Sequence, residues 1–312
     1  MNKGLKFEDV ALIPRKSIVD SRTHCDTSVM FGKKFKFGVF PSNMKSVVDT
    51  GTCEFLAESN LFYIMHRFGT DPLKFTKHMQ ELDLFASISI GVDKDSYDQL
   101  LIMQDADVCP EYITIDIANA YSSKCERMVG FIHENFPYSF LIVGNCATAE
   151  AVHAIDFWGA DAIKVGIANG SVCTTYNQTG FGVPQFTALL ETVNATAKPI
   201  ISDGGIKTIG DIAKAFVAGA RMVMSGSMFA GYDQSAGDIL TLVGGAMVKR
   251  YFGSASLSNG NTEYIEGKAT TVPYRGHMNV LIEEIHDGLQ SAISYAGGHD
   301  INAFKQVKWM AI

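Results

Sequence analysis

The chain has 312 residues, 47% of them hydrophobic, and a formal net charge of −7. That length and apolar content suit one large α/β barrel or two smaller domains with a sizeable core. The acidic balance argues against bulk nucleic-acid binding, which needs clustered basic residues, yet a few backbone N–H groups suffice to hold one small anion.

The opening M-N-K-G-L-K-F-E-D-V lacks the apolar core of a signal peptide. No run approaches the roughly 20 apolar residues that span a bilayer. The cysteines, at 25, 53, 109, 125, 146 and 173, show neither a C-x-x-C pair nor zinc-ligand spacing. A reducing cytoplasm, rather than a membrane or a disulfide scaffold, is the expected setting.

Eight short apolar runs follow in order: F-G-V-F-P-S-N from Phe37, F-Y-I-M-H-R from Phe62, F-A-S-I-S-I-G from Phe85, Y-I-T-I-D-I-A from Tyr112, F-L-I-V-G-N-C from Phe140, A-I-K-V-G-I from Ala162, P-I-I-S-D-G-G from Pro199 and M-V-M-S-G-S from Met222. Stretches with helical periodicity lie between them, such as C-E-R-M-V-G-F-I-H-E-N-F and D-I-A-K-A-F-V-A-G-A. Continuous apolar strands alternating with amphipathic helices imply a parallel sheet covered on both faces. Eight such units predict an α/β fold, a closed (β/α)8 TIM barrel, in one domain over 1–312. Residues from about 233 to 276 break the rhythm with Gly, Ser and Asn and are expected to form a mobile flap, or lid, over the C-terminal face of the barrel. A helix and a terminal extension are expected from Asn279 onward.

The strand ends carry polar or glycine residues: Ser42-Asn43, His66-Arg67, Asp116, Gly144-Asn145, Gly166, Asp203-Gly204-Gly205 and Gly226-Ser227. Asp116 and Asn145 singly suit helix caps as well as a site. Together, such residues at the C-terminal ends of barrel strands point to an active site. The glycines after the last two strands suit a phosphate cradle of backbone N–H groups, and Asp203 is placed to accept from two ribose hydroxyls.

Cys173 lies in G-S-V-C-T-T after the sixth run. A metal role lacks a nearby Cys or His, and a redox role lacks a resolving thiol. A buried small hydrophobe and a nucleophile remain open, the latter favoured by adjacent hydroxyls and a glycine-bounded loop. Glu266, in E-Y-I-E-G-K, reads on its own as solvated surface.

G-S-V-C-T-T, I-S-D-G-G-I, M-S-G-S-M-F-A and Y-F-G-S-A-S together resemble the IMP dehydrogenase/GMP reductase family. So do F-E-D-V-A-L-I-P, S-N-M, M-H-R-F, I-T-I-D-I-A and S-I-S-Y-A-G-G, and the similarity runs from about Phe7 to Gly298. Three features resemble the reductase branch: no room for a CBS insert, a short lid, and E-Y-I-E-G-K-A-T-T-V.

The resemblance implies NADPH-dependent reductive deamination of GMP to IMP and ammonia. Cys173 would attack purine C2, while Thr175 and Glu266 would protonate the departing amine. Ser171, Gly204, Gly205, Gly226, Ser227 and Tyr251 would hold the 5′-phosphate, Asp203 the ribose, and the Ser254 and Gly267 regions would face the base. Arg67, Asp116, Asn119 and Asn145 would fall to the cofactor. Backbone carbonyls of Ala168, Gly170 and Cys173 match the family's monovalent-cation (K+) loop, and family members assemble as tetramers, some as octamers.

Two departures stand out. The family's G-P-G-S-x-C is A-N-G-S-V-C here, which alters the loop's allowed dihedrals and its expected cation binding. After C-T-T, basic residues are replaced by Tyr176-Asn177-Gln178, so a weaker preference for NADPH over NADH is expected. The rival readings are a CBS-less IMP dehydrogenase using NAD and a catalytically silent nucleotide-binding barrel. The first is disfavoured because 256–266 contains no arginine. The second is disfavoured because a binder has no need of Cys173, Thr175 and Glu266 together.

Overall fold

A computed structural model describes residues 4–259 and 265–312. Seven of the eight apolar runs join one parallel sheet. Its strands are β1 (Val39–Pro41), β2 (Ser87–Ile90), β3 (Tyr112–Asp116), β4 (Phe140–Cys146), β5 (Ala162–Val165), β6 (Ile200–Asp203) and β7 (Met222–Ser225). Their spatial order is β1-β7-β6-β5-β4-β3-β2, so the first strand pairs with the last and the sheet curls round on itself. Every residue of β2, β5 and β7 is buried. Both faces are covered, so even the serines that alternate with isoleucine in β2 are buried.

The run from Phe62 departs from expectation: it takes no place in the ladder between β1 and β2. Its Met65 N–H donates to Ser87 O and its Met65 O accepts from the Ser89 hydroxyl, and it is otherwise held by side-chain packing. Phe62 stands edge-on to Phe31, Phe35, Phe40 and Tyr112, with ring centroids 4.9–5.4 Å apart. Phe31 and Phe35 come from a hairpin, Val29–Phe31 with Lys33–Phe35, that plugs this end of the sheet. Truncating Phe62 to Ala is expected to cost about 3–5 kcal/mol in denaturant unfolding.

Helices follow the strands, and their starts are written in the sequence. Asp49, Asp71, Asp93, Ser122, Thr148 and Thr208 each accept from a backbone N–H three residues on, satisfying a donor of the first helical turn. No helix among the described residues is long and apolar enough to cross a membrane.

Within 233–276 the structure shows more order than the Gly/Ser/Asn composition suggested. Strands β8 (Ile239–Thr241), β9 (Met247–Phe252) and β10 (Ala269–Pro273) form an antiparallel sheet. It is fastened to the body by the Ser46 hydroxyl, which donates to Phe252 O and accepts from Phe252 N–H. The buried Lys249 ammonium adds a bond to Ser235 O at 2.6 Å. Residues 260–264 of the expected lid lie outside the described residues. At the C-terminus the helix Asn279–Ala296 is followed by a short strand, Trp309–Ala311, paired antiparallel with Val10–Leu12.

Candidate active site

A cavity of about 360 Å³ opens at the C-terminal ends of the parallel strands. Its walls include Arg67, Asp116, Asn145, Cys173, Asp203 and Glu266, which are far apart in sequence. The helix caps decide one open question: Ser122 and Thr148 cap the helices after β3 and β4. Asp116 and Asn145 are thereby free to face the cavity.

The loop after β5 carries the thiol. Backbone bonds pair it with residues 266–268 of the 233–276 segment: Thr174 N–H donates to Glu266 O at 2.7 Å, and Lys268 N–H to Val172 O at 2.9 Å. This short antiparallel bridge, centred on Cys173 and Gly267, sets Glu266 across from Thr175. The half-buried Cys173 Sγ donates to Thr175 Oγ1 at 3.1 Å, and Thr175 Oγ1 donates to Glu266 Oε2 at 2.6 Å. A thiol, a hydroxyl and a carboxylate thus stand in one hydrogen-bonded chain, the arrangement by which a thiol proton is moved and a leaving group is protonated.

The phosphate-cradle candidates converge. Gly204, Gly205, Gly226 and Ser227 line the cavity, and Ser171 Oγ lies 3.4 Å from Tyr251 Oη. Tyr251 is buried, and that burial pushes its phenol up; the Asp203 carboxylate nearby adds to the shift. Gly226 has no room for a side chain, since a Cβ there would sit 2.5 Å from Tyr251 Oη. Gly166, at φ +155°, is tighter still, with a Cβ position 2.0 Å from Asp203 O. Ser254 and Gly267 also line the cavity.

Between these two regions lies a residue that the sequence reading passed over. Lys164, in the middle of the fully buried β5, donates to Asp116 Oδ1 at 2.8 Å and to Asp203 Oδ2 at 2.9 Å. Asn43 Nδ2 takes the other Asp116 oxygen at 3.0 Å, and Asn145 Nδ2 bonds Asp203 Oδ2 at 2.9 Å. Burial alone would lower the Lys164 ammonium and raise Asp116. Their mutual attraction, with Asp203 on one side, reverses both, leaving Lys164 raised and Asp116 lowered. The signal available beforehand was a lysine inside an otherwise apolar four-residue strand, a position that demands buried partners.

Of the residues assigned to a cofactor, Arg67, Asp116 and Asn145 line the cavity and Asn119 does not. Asn119 is exposed and its Oδ1 accepts from Tyr121 N–H. Arg67 Nε and Asn145 Oδ1 are buried without a hydrogen-bond partner among the described residues. The altered loop is also explicit. Ala168 adopts a left-handed φ of 67°, the conformation a glycine takes without strain. Asn169 Nδ2 lies within hydrogen-bonding distance of Val183 O and Gln185 Oε1, at 2.9 and 2.7 Å, and closes the loop by side-chain bonds.

The chain belongs to the IMP dehydrogenase/GMP reductase family: the model described as IMP dehydrogenase / GMP reductase domain matches residues 4–312. Within that family, three relatives that match it along nearly their whole length are named GMP reductase. It is 52% identical over 310 residues to the GMP reductase of Chromobacterium violaceum, covering 99% of this chain and 98% of that protein. It is 44% identical over 317 residues to the GMP reductase of Oceanobacillus iheyensis, covering 100% and 97%. The Helicobacter pylori GMP reductase is 44% identical over 315 residues, covering 99% and 97%.

Proposed function

We propose that the protein reduces GMP to IMP and ammonia with NADPH. The observation that carries this reading is the chain Cys173–Thr175–Glu266 at the mouth of a cavity walled by glycine loops and by Asp203. The volume, about 360 Å³, lies within the range of roughly 300–1,000 Å³ typical of small-ligand sites.

Cys173 Sγ adds to C2 of the purine and gives up its proton toward the 2-amino group. An amine leaves only when protonated, so Thr175, backed by the Glu266 carboxylate, hands the proton on. The C2–N bond breaks, ammonia departs, and C2 stays bonded to sulfur. Bound NADPH supplies the hydride that C2 needs to become the C–H of IMP. The sulfur then leaves with the C–S electron pair and is reprotonated, a role suited to a thiolate because it is both a strong nucleophile and a good leaving group. Ser171, Gly204, Gly205, Gly226, Ser227 and Tyr251 hold the 5′-phosphate, Asp203 the ribose, and the Ser254 and Gly267 strands the base.

The cofactor reading is supported by the unpartnered Arg67 Nε and Asn145 Oδ1 beside Asp116, which offer a donor and an acceptor on one side of the cavity. Asn119 has no part in it. A cation on the carbonyls of Ala168, Gly170 and Cys173 fits poorly. Gly170 O already accepts Cys173 N–H, and the Asn169 carboxamide braces the loop. No step is routed through one.

In the same reading residues 1–312 form one closed (β/α)8 domain whose 233–276 segment acts as a lid, and the protein works in the cytoplasm as a homotetramer. Following reduced-cofactor absorbance with GMP plus NADPH, and then with IMP plus NAD, tests the reaction. NADPH oxidation with release of ammonia is expected. NAD reduction with IMP would support the dehydrogenase instead, and silence in both would support the binder. Equal kcat/KM with NADH would support the weakened phosphate preference expected from Tyr176-Asn177-Gln178.

A further inference from the structure

We infer that Lys164 is a positioning residue for this reaction: its buried ammonium locks Asp116 and Asp203 into one geometry, keeping the cofactor side and the ribose end of the cavity in register. The inference rests on the site reading above.

The sheet is built to let this lysine reach. Asp116 of β3, Gly144 of β4 and Lys164 of β5 are paired in one row across three neighbouring strands. The residue between the two charged partners has no side chain, and a Cβ on Gly144 would sit 2.5 Å from Lys164 Cβ. Lys164 therefore crosses β4 to Asp116 while Asp203, at the end of the adjacent β6, closes the other side.

The lysine side chain is 2% exposed, against 17% for Asp116 and 18% for Asp203. The cation is sealed, and the carboxylates are the faces shown to ligand. A buried ion costs several kcal/mol to desolvate, so an unpaired Lys164 would be untenable, and without it Asp116 would lose the partner that holds its carboxyl low.

The charged and titratable groups facing this triad are few. Arg67 acts on Asp116 from the run that starts at Phe62, the Tyr251 phenol stands near Asp203, and Cys146 packs its thiol against Lys164 O. Burial pushes that thiol up to about 12, so it stays neutral at physiological pH. Asn43 and Asn145 contribute no charge. The Asp116 carboxyl is thus held low by Lys164, with Asn43 and Arg67 in support.

The test uses the full-length protein and Lys164→Met, with Lys164→Arg as the charge-preserving control. Three readouts are taken: aspartate carboxyl titration by 13C NMR, equilibrium GMP binding, and kcat and KM for each substrate. In the parent protein the Asp116 carboxyl should titrate below the ordinary carboxylate range. In Lys164→Met it should titrate at clearly higher pH, and GMP binding and KM should weaken by about a hundredfold, the scale of breaking a buried ion pair. The effect on kcat should be smaller. Lys164→Arg should keep the Asp116 carboxyl low and recover most of the GMP affinity.

A folded Lys164→Met with unchanged carboxyl titration and unchanged GMP affinity would overturn the inference. If Lys164→Met does not fold, Asp116→Asn carries the test. Loss of this cofactor-side carboxylate should weaken GMP binding about fivefold with no NADPH present, a coupling expected only through a shared partner, and unaltered GMP binding would overturn it. Failure to oxidise NADPH with GMP would reject the reaction, while the carboxyl titration would still read Lys164.

Discussion

The two halves of the site are built on opposite principles. Asp116, Lys164 and Asp203 stand on three strands of one sheet, carry full charges, and are tied by bonds of 2.8–3.0 Å that also enlist Asn43 and Asn145. Cys173, Thr175 and Glu266 stand on a loop and on the edge of the 233–276 segment. They meet in a single chain with an uncharged hydroxyl in the middle. In the proposed reaction the strands hold and the loops react. A proton can be handed along an open chain in which one hydroxyl both accepts and donates, whereas a saturated ion cluster resists any change of charge.

Replacing Cys173 by Ser should have the largest effect. Turnover should drop by at least about a thousandfold, because an alkoxide is neither formed nor expelled as a thiolate is. GMP affinity, set by the rigid half, should hold. Next, Glu266→Gln should lower kcat by about 10²–10³ with little change in KM, the cost of removing a proton-handling partner. A comparable rise in KM would erase the distinction between the two halves. Gly166→Ala should act on both at once. Its Cβ would meet Asp203 O at 2.0 Å, so thermal unfolding should show a loss of about 3 kcal/mol or more, and GMP binding should fail with it.

A fourth expectation concerns acid stability. His66, one residue before Arg67, is buried and its Nδ1 accepts from Phe68 N–H. Desolvation, aided by Lys45, pulls its pKa from 6.5 down to about 4. The unfolded chain takes up the proton first, so stability is full above about pH 6.5 and falls as the pH drops toward 4, by up to about 3 kcal/mol. Asp116 contributes in the same sense but in a lower pH window. Its lowered carboxyl is stabilising above the ordinary carboxylate range and is lost only at lower pH. His66→Gln should therefore flatten unfolding free energy between pH 6.5 and 4, and an unaltered slope would reject this role.

The smallest effect is reserved for the loop. Ala168→Gly relieves a left-handed residue and should add up to about 1 kcal/mol, read as a rise of about 1–2 °C in Tm.

How much of this was visible in the chain itself follows from the range of the interactions. The strand runs and the helix starts are local patterns, and β2, β5 and β7 fall within the short β-branched and apolar runs that mark them. The Phe62 run has the same composition but packs by side chains rather than by a ladder, a distinction that periodicity does not carry. Cys173 and Thr175 were legible as a pair because they are two residues apart. Glu266 needed the family resemblance, since its partner lies 91 residues away. Lys164 was quoted within its strand and not singled out, because its partners lie 48 and 39 residues away and nothing beside it in sequence names them. Asn119 lies three residues past the strand end, where the chain has already turned to solvent.

The central claim is that Cys173 bonds covalently to purine C2 during turnover. Rapid acid quenching of the protein turning over GMP and NADPH, followed by mass spectrometry of the Cys173 peptide, reads that bond directly. The expected result is an adduct with the mass of GMP less ammonia on Cys173, absent from Cys173→Ser. Steady NADPH oxidation with an unmodified Cys173 at every quench time would contradict it.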